Sequence, residues 1–158
     1  MGLVQSVEQQ LEQAAAGGPG PWRAEVIEAG VQITVEASAM ENLACALTQF
    51  EVRNAAWSGR PIERVKQIAD DLAKRLTYLL EPIRPIETDP EHCIVQMRSN
   101  PPRIDEHGSS YYELLVERTG SLTLCRFEKE PGEVRRRVPI QITREVFRHL
   151  LSDFANVR

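Results

Sequence analysis

Between Ile83 and Ile140 the sequence is cut every few residues by turn-forming pairs, which leaves room for hairpins and none for crossover helices. Ile83 to Glu87 and His92 to Arg98 flank Thr88-Asp89-Pro90-Glu91. Ser110 to Glu117 and Ser121 to Lys129 flank Arg118-Thr119-Gly120. Val134 to Ile140 follows Pro131-Gly132, a natural type II turn pair. Parallel strands need a connection of about a dozen residues or more, so these runs predict antiparallel pairing.

Earlier in the chain, Trp22 to Glu28 and Val31 to Glu36 are two further β-rich runs around Glu28-Ala29-Gly30. A glycine at the third position suits a three-residue hairpin loop. Val31, Ile33 and Val35 alternate with Gln32, Thr34 and Glu36, the pattern of a half-buried strand. Residues 42–53 fit either a helical stripe or a period of two, and a strand from Leu43 to Arg53 is the preferred reading.

Three segments carry helical periodicity. In residues 3–16 the apolar stripe of Leu3, Val7, Leu11 and Ala14 is thin, which predicts a loosely docked helix. Gly17-Gly18-Pro19-Gly20 ends it and is the one linker-like stretch. Residues 62–80 place Val65, Ile68, Leu72, Leu76 and Leu79 on one face, with Pro82 as terminator. Thr143 caps a last helix whose broad face of Val146, Phe147, Leu150, Leu151, Phe154 and Val157 needs a large partner, such as a sheet.

The fold class is therefore α+β, an antiparallel sheet of β-hairpins with amphipathic helices packed on one face. The order is helix, three strands, helix, about five strands, helix. Residues 1–20 read as an N-terminal helix and Gly/Pro linker, and residues 21–158 as a single α+β domain. This element order is similar to that of small acidic bacterial secretion chaperones, an analogy of order without a shared motif. It implies an adaptor-like or chaperone-like role, and fold alone does not fix function.

Composition narrows the function classes. Hydrophobic residues are 42% and charged residues 27% of the 158, ordinary for a globular chain and wrong for a disordered one. The net charge of −4, with no basic domain, argues against nonspecific nucleic-acid binding. No apolar run reaches the roughly 20 residues of a membrane span, and the start lacks the basic and apolar regions of a signal peptide. Cys45, Cys93 and Cys125 are odd in number and form no C-x-x-C pair, which points to reduced thiols and a cytoplasmic location.

One hairpin can be read residue by residue. A loop at 118–120 sets Val116 opposite Leu122, Leu114 opposite Leu124 and Tyr112 opposite Arg126. The other face then pairs Leu115 with Thr123, Glu113 with Cys125 and Tyr111 with Phe127. Both faces carry apolar weight, so the second face should be covered by another element or left for a partner.

Five segments carry candidate site residues. The polar loop 99–109 holds Arg103 and His107, the latter beside Asp105 and Glu106, where acid–base chemistry is conceivable but no nucleophile accompanies it. Glu91, His92 and Cys93 lack metal-ligand spacing, and strand neighbours point apart, so no metal or cofactor is expected. Arg135 and Arg137 share a face and suit a carboxylate or phosphate, with pairing to nearby glutamates as the plainer role. Tyr111-Tyr112 is more in keeping with packing than with base stacking. Met1-Gly2-Leu3-Val4-Gln5-Ser6 matches the loose myristoylation pattern without a second anchoring signal.

No catalytic constellation emerges, and the sequence points away from an enzyme. The leading expectation is a non-enzymatic protein–protein interaction or adaptor module with a protein partner or self-association as a homodimer. The alternative is a pocket between sheet and helices for a small-molecule ligand, served by Tyr112, Arg126, Arg135, Arg137, Arg103 or His107. An enzyme built on the 99–109 loop is the third.

Overall fold

The computed structural model describes residues 2–157. Helix α1 (Leu3–Gly17) precedes β1 (Trp22–Glu28), β2 (Val31–Met40) and β3 (Ala44–Asn54). Helix α2 (Ile62–Arg75) follows, then β4 (Ile83–Asp89), β5 (Ile94–Ser99), β6 (Arg103–Asp105), β7 (Gly108–Glu117), β8 (Ser121–Lys129), β9 (Arg136–Val138) and β10 (Ile140–Thr143). Helix α3 (Arg144–Ala155) ends the fold. The strands form one antiparallel sheet with the spine β1-β2-β3-β8-β7-β5-β4. The α+β class and the element order expected from sequence are those observed.

The 110–129 hairpin has the register read from its turn: Val116 opposite Leu122, Tyr112 opposite Arg126, Tyr111 opposite Phe127. The ambiguous segment is a strand, β3, which begins at Ala44 rather than Leu43 and runs to Asn54. The β1–β2 loop differs from expectation. Glu28 pairs directly with Val31, so the loop is the two residues Ala29-Gly30, both at positive φ (51° and 80°). That is the backbone of a type I′ turn, whose twist matches the flanking strands. The β4–β5 turn lies two residues later than expected, because β4 runs on to Asp89 and β5 begins at Ile94 rather than His92. The Asp89 carboxylate accepts from the backbone N–H groups of Glu91 and His92 and holds them out of the ladder.

The ladder contains a fork. β3 and β8 pair only over Glu51–Arg53 and Ser121–Thr123, and then diverge. β9 pairs with β8 at residues 126–128 and β10 pairs with β3 at residues 44–47, so the segment 136–143 occupies the gap. Pro139 stands between them. It has no N–H to donate and marks the crossing from one arm of the fork to the other.

One face of the sheet carries all three helices over a continuous apolar core. Phe154 of α3 meets Phe50 of β3 edge to face, with ring centroids 5.1 Å apart. Val65, Ile68, Ala69 and Leu72 of α2 are buried. α2 stops at Arg75 and tightens into a 3₁₀ turn over Thr77–Leu79, ahead of Pro82. Thr143 caps α3 by accepting from the Val146 N–H at 3.1 Å.

Two expectations are corrected. α1 is not loosely held: Val7 and Leu11 are fully buried in the core, and Glu8 and Glu12 pair with Arg144 of α3. Among the described residues no helix or strand packs over the second face of the hairpin. The Arg98 guanidinium lies 4.7 Å from the Tyr111 ring centroid and that of Arg135 lies 3.9 Å from Phe127, so long side chains do the shielding.

Candidate functional site

Beside the fork, where α2 ends and α3 begins, the core-side surface opens into a cleft of about 950 Å³. Its walls come from Tyr78–Pro82 after α2, from Pro101, Pro102, Arg103 and Asp105 around β6, and from β7 to β10. Local chemistry explains the opening. Pro82 ends the helical turn early, Pro101 and Pro102 keep the 99–109 loop from pairing until β6, and Pro139 separates β9 from β10.

Arg126 lies in the floor. Its side chain is 13% exposed, and its Nη2 donates to Ser110 Oγ at 3.0 Å and pairs with Glu81 Oε2 at 3.0 Å. Its guanidinium sits 4.5 Å from the ring centroid of Tyr112, the residue opposite in the hairpin. Alternation puts both on the core face. Burial pushes the Tyr112 hydroxyl pKa up, against the pull of the Arg126 charge, so the phenol stays protonated at neutral pH. The Tyr112 N–H is held by Ser99 Oγ at 2.8 Å, which fixes the strand beneath the ring. Arg126 Nη1 and Glu81 Oε1 are buried without a hydrogen-bond partner.

Arg136 and Glu128 line the same cleft and pair at 2.8 Å. Tyr78 donates to Asp153 of α3 at 2.6 Å, which ties the end of α2 to α3 at the cleft's edge. Burial and this carboxylate acceptor drive the Tyr78 pKa far up.

Of the residues singled out from sequence, Tyr112, Arg126 and Arg103 come together here. Arg135 and Arg137 do not. They lie toward the opposite face, where Arg135 pairs with Glu113 at 2.6 Å and Arg137 donates to the Thr48 carbonyl at 2.9 Å. His107 is 79% exposed in the β6–β7 turn, 3.5 Å from an equally exposed Glu106. His92 rests on Asp89 at 2.7 Å in the β4–β5 turn, away from the cleft. Among the described residues no three His, Cys, Asp or Glu side chains are grouped as a metal site. No described helix is long and apolar enough to cross a membrane. The Met1 end of the acylation pattern lies outside the described residues; Gly2 precedes α1 and donates to Gln5 Oε1 at 3.3 Å.

Sequence reasoning missed Glu81, Ser110 and Arg136. Alternation along an extended run sends Arg136 to the face opposite Arg135 and Arg137, which is the signal that could have found it. Nothing local marks Glu81, since its partner is distant in sequence. The lining offers guanidinium, carboxylate, hydroxyl and phenol groups and neither histidine nor cysteine. No protein-family model, curated protein or solved structure matches the chain.

Proposed function

We propose that this domain binds a small organic molecule in the cleft between the end of α2, the start of α3 and strands β7–β10, and performs no chemistry on it. One observation carries the reading. Arg126, Tyr112, Ser110 and Glu81 converge on a roughly 950 Å³ cleft, and a buried donor and acceptor there lack protein partners. Small-molecule sites combine such a volume with apolar walls and a few converging polar groups. Leu79, Pro101, Pro139, Ile142 and Val146 supply the apolar wall. Amide chemical-shift mapping with benzoate, benzamide and benzylamine tests it. Shifts gathered at Ser110–Tyr112, Arg126 and Glu81 are the expected outcome; shifts scattered over the surface, or none, would reject the cleft.

A second reading, an adaptor-like module that seats a protein partner or a second copy of the chain, is favoured by two apolar side chains in water. Leu80 on the cleft rim is 91% exposed and Ile104 of β6 is 76% exposed. Size-exclusion chromatography with light scattering separates the cases. A dimer that L80S and I104S dissociate supports self-association, and a monomer at all concentrations removes that arm.

A further inference from the structure

We propose that the ligand carries an oxyanion head group, and that this group takes the place of the Glu81 carboxylate on Arg126. The proposal rests on the cleft reading above and adds to it the chemistry of the ligand and a residue that guards its seat.

The ion pair between Arg126 and Glu81 is incomplete. A guanidinium and a carboxylate make their strongest contact as a fork, with two parallel hydrogen bonds. Arg126 and Glu81 meet instead through a single ion-pair contact, Nη2 to Oε2 at 3.0 Å. The second donor, Nη1, and the second acceptor, Oε1, are buried and unpartnered. Both halves of the pair are thus under-satisfied where water does not reach them.

The two residues differ in how firmly they are held. Arg126 belongs to a strand paired on both sides, to β7 and to β9, with Tyr112 under its guanidinium plane and Ser110 Oγ on Nη2. Glu81 belongs to a short connection with no regular structure. Leu80 before it is in the left-handed region (φ 64°) and points into water, and Pro82 after it is exposed. Glu81 is therefore the partner able to leave. A turn of its side chain into water hydrates both carboxylate oxygens, while an incoming carboxylate or phosphate meets Nη1 and Nη2 together. Each unmet atom finds a partner in that exchange.

Charge balance agrees. The lining holds Arg103, Arg126 and Arg136 against Glu81, Asp105 and Glu128. With Glu81 turned inward the cleft is neutral. With Glu81 turned outward it carries one net positive charge, which one anion neutralises.

The experiment uses the full chain and the probes benzoate, phenyl phosphate and benzamide, with dissociation constants from chemical-shift titration of wild type, E81Q and the double variant E81Q/R126Q. The double variant removes both charges together, so that no buried charge is left alone. E81Q should bind an oxyanion probe about tenfold more tightly than wild type, with benzamide unchanged. The double variant, folded by its amide spectrum, should lose that gain. A gain for benzoate alone or for phenyl phosphate alone identifies the head group. Wild-type oxyanion binding in the cleft that E81Q leaves unchanged or weakens overturns the exchange and leaves the cleft reading standing. No probe binding to wild type or E81Q at millimolar concentration overturns both.

Discussion

The guanidinium of Arg144, the first residue of α3, reaches the Glu8 carboxylate of α1 at 2.8 Å and joins the two ends of the chain. The same guanidinium pairs with Glu12 and donates to the Glu41 carbonyl at 3.0 Å, while Glu8 also accepts from Arg148 at 2.8 Å. Arg144 is 8% exposed and Glu8 12%, whereas Glu12 is 57% exposed. Removing one member of a buried pair strands the other, at about 3 kcal/mol or more, while an exposed partner is worth under about 1 kcal/mol. R144A should therefore lower unfolding free energy by about 3 kcal/mol, and E12A by less than about 1. In R144A the 17–20 connection should also become a protease cleavage site. Equal effects of R144A and E12A in urea denaturation would defeat this account of the ion bridge.

Glu113 anchors the opposite face. Burial raises its pKa, but hydrogen bonds from Arg135, Gln96 and Arg98 outweigh that and hold the carboxyl below its ordinary value of 4.5. A carboxylate with a depressed folded pKa contributes stability that is complete above the unfolded value and is lost as pH falls through the folded one. Wild type should lose more stability between about pH 5 and about pH 3 than E113Q does. At neutral pH E113Q should be weaker by about 2 kcal/mol, the worth of hydrogen bonds to a charged group. Denaturation curves at the two acidities measure this; parallel slopes for both proteins would show that Glu113 carries no linkage.

How much of this was legible beforehand depends on how local each feature is. The 110–129 hairpin was readable because alternation and the glycine of its turn specify the same register. α3 was readable because a threonine cap precedes a wide apolar stripe. The fork was not, since β9 and β10 span only Arg136–Val138 and Ile140–Thr143, too short for a periodicity, and Pro139 reads as a breaker. The docking of α1 escaped for another reason. Its stripe is thin, and what secures it is an arginine at the far end of the chain. The site divides the same way: Tyr112 opposite Arg126 follows from register, whereas Glu81 reaches Arg126 only through the tertiary fold.

The three thiols should differ in reactivity. Burial, opposed by Arg144 and reinforced by Glu8, pushes the Cys45 thiol up to about 11. Cys93 is buried, its Sγ donating to the Pro90 carbonyl at 3.3 Å. Cys125, on the outer face of β8, is partly exposed. Its pKa is also raised by burial, with Arg137 opposing. The thiolate is the nucleophile, so exposure and thiolate fraction together set the order of alkylation. Iodoacetamide at mild alkaline pH should modify Cys125 first, and Cys45 only when urea unfolds the chain. Peptide mapping by mass spectrometry reads the order, and early labelling of Cys45 in the native protein would contradict the burial described.

Gly120 closes the central hairpin and seats it on β3. Its φ is +90°, and a Cβ there would collide with the Asn54 carbonyl oxygen. The Asn54 N–H in turn donates to the Gly120 carbonyl at 2.9 Å, so the two backbones cannot separate without losing the bond. Gly132 has a similar φ of +77° and open space around it. The two glycines thus separate conformational strain from collision. G132A should lose about 1 kcal/mol, the penalty of an L residue in the left-handed region. G120A should lose that and more, about 2 kcal/mol or beyond, because the hairpin tip must also move off Asn54. The damage should spread to the pairing of Arg53 with Ser121, visible as faster amide exchange at the start of β8. If both alanine variants unfolded at the same urea concentration, the close approach of Gly120 to Asn54 would carry no energetic weight.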